Sequence, residues 1–562
     1  MASPPAEGGH VAALLGRTVS ELQRDTPARG VPMFGARGIT IGAAISGDER
    51  GSAQAREREA MNIHSRRSHS AIFAVVAIGF LMVASQAGAY AASGSAGHKP
   101  TAIRFGTPVR MPTFESCGGY EPGIALDRFG NIFVTAHKQN HCLAVAQDPN
   151  APDGVRAQSW LWTSSDGVHF VDMPGLLNLP AAPDQLDVGD EGDIALDDAN
   201  HLYFVDTKVA DDHFGRWTVT GAGTKKMTLD IARPVVPTLM PVDDRPWVTA
   251  HGSRTVLYAG NEGDKDTYNV GSVAAGCTGA GILPPQPGQQ QQPPGGRYTV
   301  FLSHDAGATF DPVGCTLPGS GWCRPAADHA PGSTYLYMVC TDDAGADYEV
   351  NTPGDPGFIA GTLYSYVSAN DGASWTRYRI DAYNSDLPGG GATNDIGWPQ
   401  VVVAKDGSVY ALFNDPVTGT DASGNRIKVD SRLHLYHSID HGRTWAKQDV
   451  TPANQGLIRY SWVDVAPDGR TIGIGYETHA TIDGNWHVYA GTSPKFGSAV
   501  TYALVDPVET APPGDFNFGD FFEVGFDNLG RLDVVYTRCT DLVAGDPTTD
   551  CLNSDVYFAR SL

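Results

Sequence analysis

Seven residues, each 54 to 79 positions from the next, could together bind a polar sugar. Two are acids, two are arginines and three are aromatic: Glu121, Glu191, Arg245, Arg324, Trp398, Tyr460 and Phe521. Arginine pairs with a carboxylate through two parallel hydrogen bonds, and an aromatic ring can stack on the face of a pyranose. If the fold brings these residues together, they predict a binding site for a partly anionic carbohydrate.

Histidines in the same sequence offer a second chemistry. His137, His141 and His251 are candidates for the base of a polysaccharide lyase, which removes the proton beside a uronate carboxylate. A structural role in a turn or at the surface is the alternative for each of them.

Each of the seven residues opens a stretch that aligns without gaps with the other six, as in EPGIALDRFGNIFVTAH from Glu121. The fourth position is always apolar, and the tenth is Gly in four copies and Asn, Arg or Ser in the others. Each copy therefore predicts a short strand, a tight turn and a second strand. Because the spacing leaves room for four strands per unit, we predict an all-β fold. It is a seven-bladed β-propeller of four-stranded antiparallel blades over residues 101–562.

The last blade is too short to be complete by itself. Only 42 residues run from Phe521 to the end of the chain. We therefore expect the N-terminal segment TAIRFGTPVRM from Thr101 to supply its missing strand, which would close the ring and cover its edges.

A second signature lies between several of the strand pairs. It reads SHDAGATF from Ser303, SANDGASW from Ser368, SIDHGRTW from Ser438 and, more loosely, TSSDGVHF from Thr163. It resembles the Asp box, or BNR repeat, of sialidases and related propellers. We expect its acids to stabilise hairpin turns and to carry no chemistry; they are Asp166, Asp305, Asp371 and Asp440.

The resemblance to sialidases implies a site in which three arginines bind the substrate carboxylate and a glutamate activates a tyrosine nucleophile. The arginine candidates are Arg245, Arg324 and Arg538. The nucleophile candidate is Tyr460, with Glu262 or Glu477 as its base, and Glu191 and Glu121 are candidate acids. The implied function is a secreted, exo-sialidase-like glycoside hydrolase acting on extracellular glycans. A non-catalytic glycan- or protein-binding propeller and a polysaccharide lyase are the alternatives.

Topology predicts which end of the propeller carries function. The inner strand of each blade begins at the rim where the second strand ends, and we call this end the working rim. The first turn and the box turn share the opposite end, the turn rim. The sugar-binding residues above belong to the working rim.

All eight cysteines follow residue 116, and an even number in an exported chain indicates disulfides. We expect pairs between sequence neighbours: Cys117 with Cys142, Cys277 with Cys315, Cys323 with Cys340, and Cys539 with Cys551. All of these would brace loops at the working rim.

The N-terminal residues predict export. Residues 71–84 form an uncharged apolar run after Arg66 and Arg67, typical of a signal peptide over residues 61–92. Residues 1–60 are either a disordered extension or a wrongly assigned start. We expect the mature protein to be secreted and monomeric, with no membrane span once the signal is cleaved.

The net charge of the chain bears on which classes of partner it can bind. With 39 basic and 63 acidic residues the net charge is −24, which disfavours nucleic acid as a partner. The seven ring residues and the resemblance to sialidases make an extracellular carbohydrate the expected partner. No cofactor motif occurs. The acidic run DQLDVGDEGDIALDD from Asp184 could hold a structural Ca²⁺, although a solvated loop is the alternative.

Overall fold

The computed structural model describes residues 103–113, 118–138, 159–173, 189–208, 211–234, 246–261, 277, 298–311, 314–342, 361–383, 399–420, 424, 426–453, 456–478, 485–511, 521–542 and 551–562. The predicted extension 1–60 and signal peptide 61–92 lie outside these ranges. Within them, no helix has the length and apolar character needed to cross a bilayer.

The described strands form seven four-stranded antiparallel sheets, which confirms the predicted seven-bladed propeller. Strand β1 (Val109–Arg110) comes first in the chain. Blade 1 contains β2 (Gly119–Leu126), β3 (Ile132–Lys138), β4 (Trp160–Ser164) and β5 (Val171–Asp172). Blade 2 contains β6 (Gly189–Leu196), β7 (His201–Lys208), β8 (Asp211–Val219) and β9 (Met227–Pro234), with a 3-10 turn at Thr224–Lys226.

The next three blades follow the same order. Blade 3 contains β10 (Trp247–His251), β11 (Thr255–Asn261), β12 (Tyr298–Ser303) and β13 (Cys315–Thr316). Blade 4 contains β14 (Ser320–Ala327), β15 (Leu336–Asp342), β16 (Gly361–Ser368) and β17 (Thr376–Tyr383). Blade 5 contains β18 (Gln400–Val403), β19 (Val409–Thr420), β20 (Arg426–Ser438) and β21 (Ala446–Asp449).

The last two blades differ in where their fourth strand comes from. Blade 6 contains β22 (Ile458–Val465), β23 (Ile472–Thr478), β24 (His487–Ser493) and β25 (Thr501–Leu504). Blade 7 contains β26 (Glu523–Phe526), β27 (Leu532–Leu542), β28 (Cys551–Arg560) and β1. In this sheet Val109 lies opposite Phe558 and Arg110 lies opposite Tyr557.

A short acidic turn joins the first two strands of a blade. In blade 1 the Asp127 carboxylate accepts the backbone N–H groups of Phe129 and Asn131. Gly130 between them has φ 83°, a left-handed conformation that favours glycine. This explains the glycine that recurs at the tenth position of the repeat.

Buried carboxylates also link neighbouring inner strands. Glu523 of blade 7 accepts the backbone N–H of Ile124 in blade 1 at 2.8 Å. Asp193 of blade 2 makes the same contact with Val248 of blade 3 at 2.8 Å. An inner strand has no ladder partner on its axial side, so these acids satisfy backbone donors that would otherwise be buried alone.

The signature turns are closed by a serine and an acid. In blade 3 the Ser303 hydroxyl accepts the N–H of Gly307, while Asp305 accepts both the N–H and the hydroxyl of Thr309. Blade 5 repeats these bonds at Asp440. In blade 1 Asp166 accepts the N–H of His169 instead.

The turn of blade 4 differs from the prediction, because Asn370 and not Asp371 takes the position of the acid. Asn370 Oδ1 accepts the Ser374 N–H at 2.9 Å. Asp371 is the next residue, with φ 52°, and its Oδ1 lies 3.1 Å from His251 Nε2 of blade 3. In blades 3, 4 and 5 the acceptor is the second residue after the signature serine, and Asp371 stands where Ala306 and His441 stand, each with a positive φ. The sequence prediction chose Asp371 because it is the acid of this signature.

The aromatic residue that ends each signature packs against the preceding blade. Phe170 of blade 1 lies 5.2 Å from Phe558 of blade 7, and Phe310 of blade 3 lies 5.2 Å from Phe214 of blade 2, measured between ring centroids. Trp375 of blade 4 is 1% exposed. These rings fill the space between blades.

Two of the predicted disulfides are present, Cys277–Cys315 and Cys323–Cys340. Cys539 is also disulfide-bonded. The side chain of its predicted partner, Cys551, lies outside the described part, as do Cys117 and Cys142. The remaining two pairings therefore stay predictions.

Candidate functional site

Several inner strands begin at the working rim with a β-bulge. The pairing register shifts between Tyr120 and Gly123 in blade 1 and between Ile458 and Ser461 in blade 6. Glu121 and Tyr460 lie within these shifts. A bulge re-aims side chains and is common beside functional sites, so two of the predicted residues occupy positions where the regular alternation of the strand is interrupted.

A small pocket, with room for about one water molecule, lies at the junction of blades 6 and 7. It contains two residues that the sequence placed together, Tyr460 and Glu477. Aromatic and small side chains complete its wall: Val488, Phe521, Phe522, Tyr536 and Thr537. A phenol and a carboxyl in one pocket can act as nucleophile and base.

Glu477 lies at the rim end of β23 and is 2% exposed. Its Oε1 accepts a hydrogen bond from the Thr510 hydroxyl. Its Oε2 is buried and has no hydrogen-bond partner among the described residues. Burial raises the pKa of Glu477, while Arg459, the Thr510 hydroxyl and His487 act in the opposite direction. A carboxyl in such surroundings holds its proton to a higher pH than usual.

Arg324 does not lie in this pocket but fills the centre of the ring. Its Nη2 lies 2.9 Å from Glu523 Oε1 and 3.6 Å from Asp193 Oδ1. The guanidinium carbon lies 3.8 Å from the centroid of Trp247 and 4.5 Å from that of Trp462. Arg324 therefore joins its own blade 4 to blades 2, 3, 6 and 7. We call these five residues the central cluster.

Arg538 has a different set of partners, in blade 7 and the segment before it. Its Nη2 donates to Asp506 Oδ2, which also accepts the Tyr536 hydroxyl. Its guanidinium carbon lies 4.0 Å from the Tyr557 ring. Arg324 and Arg538 are thus each engaged with separate protein carboxylates, and they do not share a binding point here.

Glu121 forms a buried pair with His137 at the rim of blade 1. Its Oε2 lies 3.1 Å from His137 Nε2, and both side chains are 3% exposed. Glu121 has φ 51°, a conformation that is costly for a residue other than glycine and that concentrates at functional sites. Next to it, burial lowers the pKa of Lys138 to about 8.

The other predicted site residues divide between two groups. Arg245, Glu262, Trp398 and His141 lie outside the described residues, and so does the side chain of Glu191. His251 is described, and it lies at the turn rim, at the far end of its inner strand from the working rim. There it faces Asp371, so it cannot share a site with His137.

The acidic run from Asp184 is described only in its second half. Asp193 contacts Arg324, Asp197 contacts His201, and Asp198 contacts His329. These three carboxylates are therefore engaged within the protein. A Ca²⁺ ion bound by the earlier acids stays a prediction.

Sequence reasoning missed the central cluster and Thr510. The acids of the cluster share one position in the repeat, the third, which Trp247 and Trp462 also occupy. The signal available in the sequence was the presence of acids and tryptophans at this third position. Thr510 lies outside any repeat, in the segment between blades 6 and 7, and no sequence pattern marks it.

The fold defines the class of this protein, a seven-bladed β-propeller. No family model matches the chain, and no curated protein matches it. A solved structure of unknown function from Dyadobacter fermentans is similar at 11% identity, over 82% of this chain and 99% of that chain, with a TM-score of 0.40.

Two solved enzymes are similar at comparable levels. A GH74 enzyme of Niastella koreensis has 17% identity, over 80% of this chain and 56% of that chain, with a TM-score of 0.41. An intramolecular trans-sialidase of Ruminococcus gnavus has 11% identity, over 75% of this chain and 90% of that chain, with a TM-score of 0.33.

Proposed function

We propose that this protein is a glycoside hydrolase with a sialidase-like mechanism, in which Tyr460 is the nucleophile and Glu477 is its base. The observation that carries the proposal is the pocket between blades 6 and 7, which holds both side chains. The buried Glu477 carboxyl has one oxygen fixed by Thr510 and the other without a partner among the described residues.

The proposed first step transfers the sugar to the protein. The Tyr460 oxygen attacks the anomeric carbon, the bond from that carbon to the leaving oxygen breaks, and Glu477 takes the phenol proton. A second acid protonates the leaving oxygen, and Glu191 and Glu121 are its candidates. Water then attacks the same carbon and gives its proton to the second acid, which the first step left ionised. The bond from that carbon to the Tyr460 oxygen breaks, and Glu477 returns the phenol proton as the free sugar leaves.

A tyrosine nucleophile suits an anionic sugar. A carboxylate nucleophile would repel the carboxylate of the sugar, whereas a phenol is neutral until its proton is removed. The side chains of Phe521, Phe522 and Tyr536 form an aromatic wall of the pocket. We therefore propose a sialoside as the first substrate to test, with the protein exported and acting on extracellular glycans. The two described disulfides support an oxidising compartment.

The test is release of a fluorescent aglycone from a panel of aryl glycosides, including a sialoside, a uronoside and neutral hexosides and pentosides. We expect turnover of an anionic member by the native chain. Tyr460→Phe and Glu477→Gln should each reduce kcat by at least about 100-fold, the usual scale for a lost nucleophile or proton-transfer group.

Two matched variants control for nonspecific damage. Tyr378→Phe removes a partly buried hydroxyl on β17 of blade 4, and Glu509→Gln removes an exposed carboxylate beside Thr510. Both should keep turnover within about twofold of the native value. The proposal is wrong if no glycoside is cleaved, or if Tyr460→Phe and Glu477→Gln retain native activity.

Glycan binding without hydrolysis is the second candidate function, and the engagement of the arginines favours it. Arg324 and Arg538 are each paired with protein carboxylates, and the pocket has room for only about one water molecule, much less than a sugar ring needs. Saturable binding of an oligosaccharide on a glycan array, with no sugar released from it, would support this candidate over the hydrolase.

A further inference from the structure

The segment between blades 6 and 7 reaches into the candidate site. After β25 the chain runs from Val505 to Ala511 along the working rim, and we call residues 505–511 the linking segment. It is held at its first end by Asp506, whose Oδ2 accepts both the Tyr536 hydroxyl and Arg538 Nη2. Tyr536 also lines the pocket, so this anchor is adjacent to the site.

The second anchor of the linking segment is Thr510, which is fully buried. Its backbone N–H donates to the carbonyl of Trp486 at 2.8 Å, and its carbonyl accepts the N–H of Cys539 at 2.7 Å. The next residue, Ala511, forms a β-bridge with Trp486. Thr510 is therefore fixed between the third strand of blade 6 and the second strand of blade 7.

The Thr510 hydroxyl donates its one hydrogen bond to the Glu477 carboxyl. A threonine hydroxyl has one hydrogen, and here Glu477 Oε1 accepts it. The hydrogen bond ties down one carboxyl oxygen and prevents the group from rotating about its last bond. Oε2 is then the oxygen left for proton exchange, because it has no partner among the described residues.

We propose that Thr510 is a positioning residue for Glu477, delivered by the linking segment, and that it fixes Oε2 as the oxygen that exchanges the proton of Tyr460. This inference rests on the proposed function. It predicts that the segment between two blades, and not the blades themselves, sets the proton-transfer geometry of the site.

The test compares three substitutions. Thr510→Val keeps the shape and removes the hydroxyl, while Thr510→Ser keeps the hydroxyl. Thr135→Val is the control, since it removes a buried hydroxyl that donates to the Trp160 carbonyl in blade 1. Melting curves on all three establish that they are folded at the assay temperature.

The kinetic readout is the pH profile of kcat. The hydrogen bond from Thr510 lowers the pKa of Glu477, so its removal raises that pKa. Because the base acts when ionised, the acid limb of the profile should move to higher pH in Thr510→Val, with kcat reduced about tenfold and KM changed less than threefold. Thr510→Ser should restore both, and Thr135→Val should match the native profile.

A second readout does not need a substrate. Infrared difference spectra recorded during a pH titration identify the Glu477 carboxylic acid band as the one lost in Glu477→Gln. Its midpoint should rise in Thr510→Val and return in Thr510→Ser. An unchanged midpoint, or an unchanged acid limb in an active enzyme, would overturn the inference. A shifted midpoint in a chain that cleaves no glycoside would instead overturn the proposed function, and the positioning role with it.

Discussion

At the scale of single residues, two residues that are adjacent in the sequence can have unrelated structural roles. Asn370 closes the turn of blade 4, whereas Asp371 contacts His251 in blade 3. The sequence motif assigned the turn to the charged residue because an acid usually takes that place. The hydrogen bonds show that an amide does the same work, since only its carbonyl oxygen is needed to accept the backbone N–H.

A pair of substitutions tests this assignment. Asn370→Ala removes the acceptor of the Ser374 N–H and should lower the free energy of unfolding by about 1–2 kcal/mol. Asp371→Asn keeps a residue that tolerates a positive φ. It should lower the free energy of unfolding by less than about half of the loss in Asn370→Ala. Chemical denaturation of both variants measures the difference. A larger loss in Asp371→Asn would contradict the assignment.

At the scale of elements, each signature turn positions a residue against the blade before it. Gly372 has φ 85°, and a Cβ added there would lie 2.2 Å from Leu302 Cδ1 of blade 3. Gly332, in the first turn of the same blade, has φ 78° and open space around it. The two glycines share the backbone requirement but differ in contact with a neighbouring blade.

Alanine at these two positions separates the two effects. Gly332→Ala should lower the free energy of unfolding by about 1 kcal/mol, because alanine is strained in the left-handed backbone conformation. Gly372→Ala should cost about 1–3 kcal/mol more, because the added methyl group collides with Leu302. Thermal unfolding of both variants is the measurement. Equal losses would show that blade 4 does not pack against blade 3 through this turn.

These elements were predictable from the sequence because their causes are local. The apolar fourth position, the turn glycine and the serine of the signature each act within a few residues of themselves. The contact of Thr510 with Glu477 and the bulge at Glu121 were not predictable. Both depend on which segments the fold brings together at the working rim. Tyr460 and Glu477 line the same pocket because Tyr460 lies near the beginning of β22 and Glu477 near the end of β23, its antiparallel neighbour.

At the scale of the whole molecule, the central cluster joins blades that are distant in the sequence. Arg324 contacts Glu523, Asp193, Trp247 and Trp462, which belong to four other blades. The sequence predicted seven equivalent positions, and it could not indicate that one arginine would cross the axis. That outcome depends on the residues opposite it, which include two acids and two tryptophans.

Removal of the arginine should destabilise the entire ring. At about pH 9, above the pKa of about 8 of Glu523, Arg324→Met leaves the Glu523 carboxylate buried without its cation, and we expect a loss of about 3–5 kcal/mol. In Arg324→Met combined with Glu523→Gln, part of this loss should be recovered, because this unpaired charge is gone. Denaturation of the two single variants and the double variant measures the coupling. Strictly additive effects would contradict the role of the cluster.

The cluster also predicts how stability depends on pH. Burial and the nearby Asp193 raise the pKa of Glu523 to about 8, against the effect of Arg324. Its folded pKa exceeds its unfolded value, so this group stabilises the fold most below about pH 4.5, and the contribution is lost as pH rises to about 8. Glu523→Gln should flatten the dependence of Tm on pH between 5 and 8. A curve that keeps the native slope would contradict this account.

The central claim is that Tyr460 forms a covalent bond with the sugar, and a trapping measurement tests it most directly. A fluorinated analogue of the cleaved glycoside, with an activated leaving group, slows the second step and lets the intermediate accumulate. Mass spectrometry of the digested protein should then find the sugar on the peptide that contains Tyr460, and no adduct in Tyr460→Phe. An adduct on another residue, or normal turnover by Tyr460→Phe, would contradict the claim.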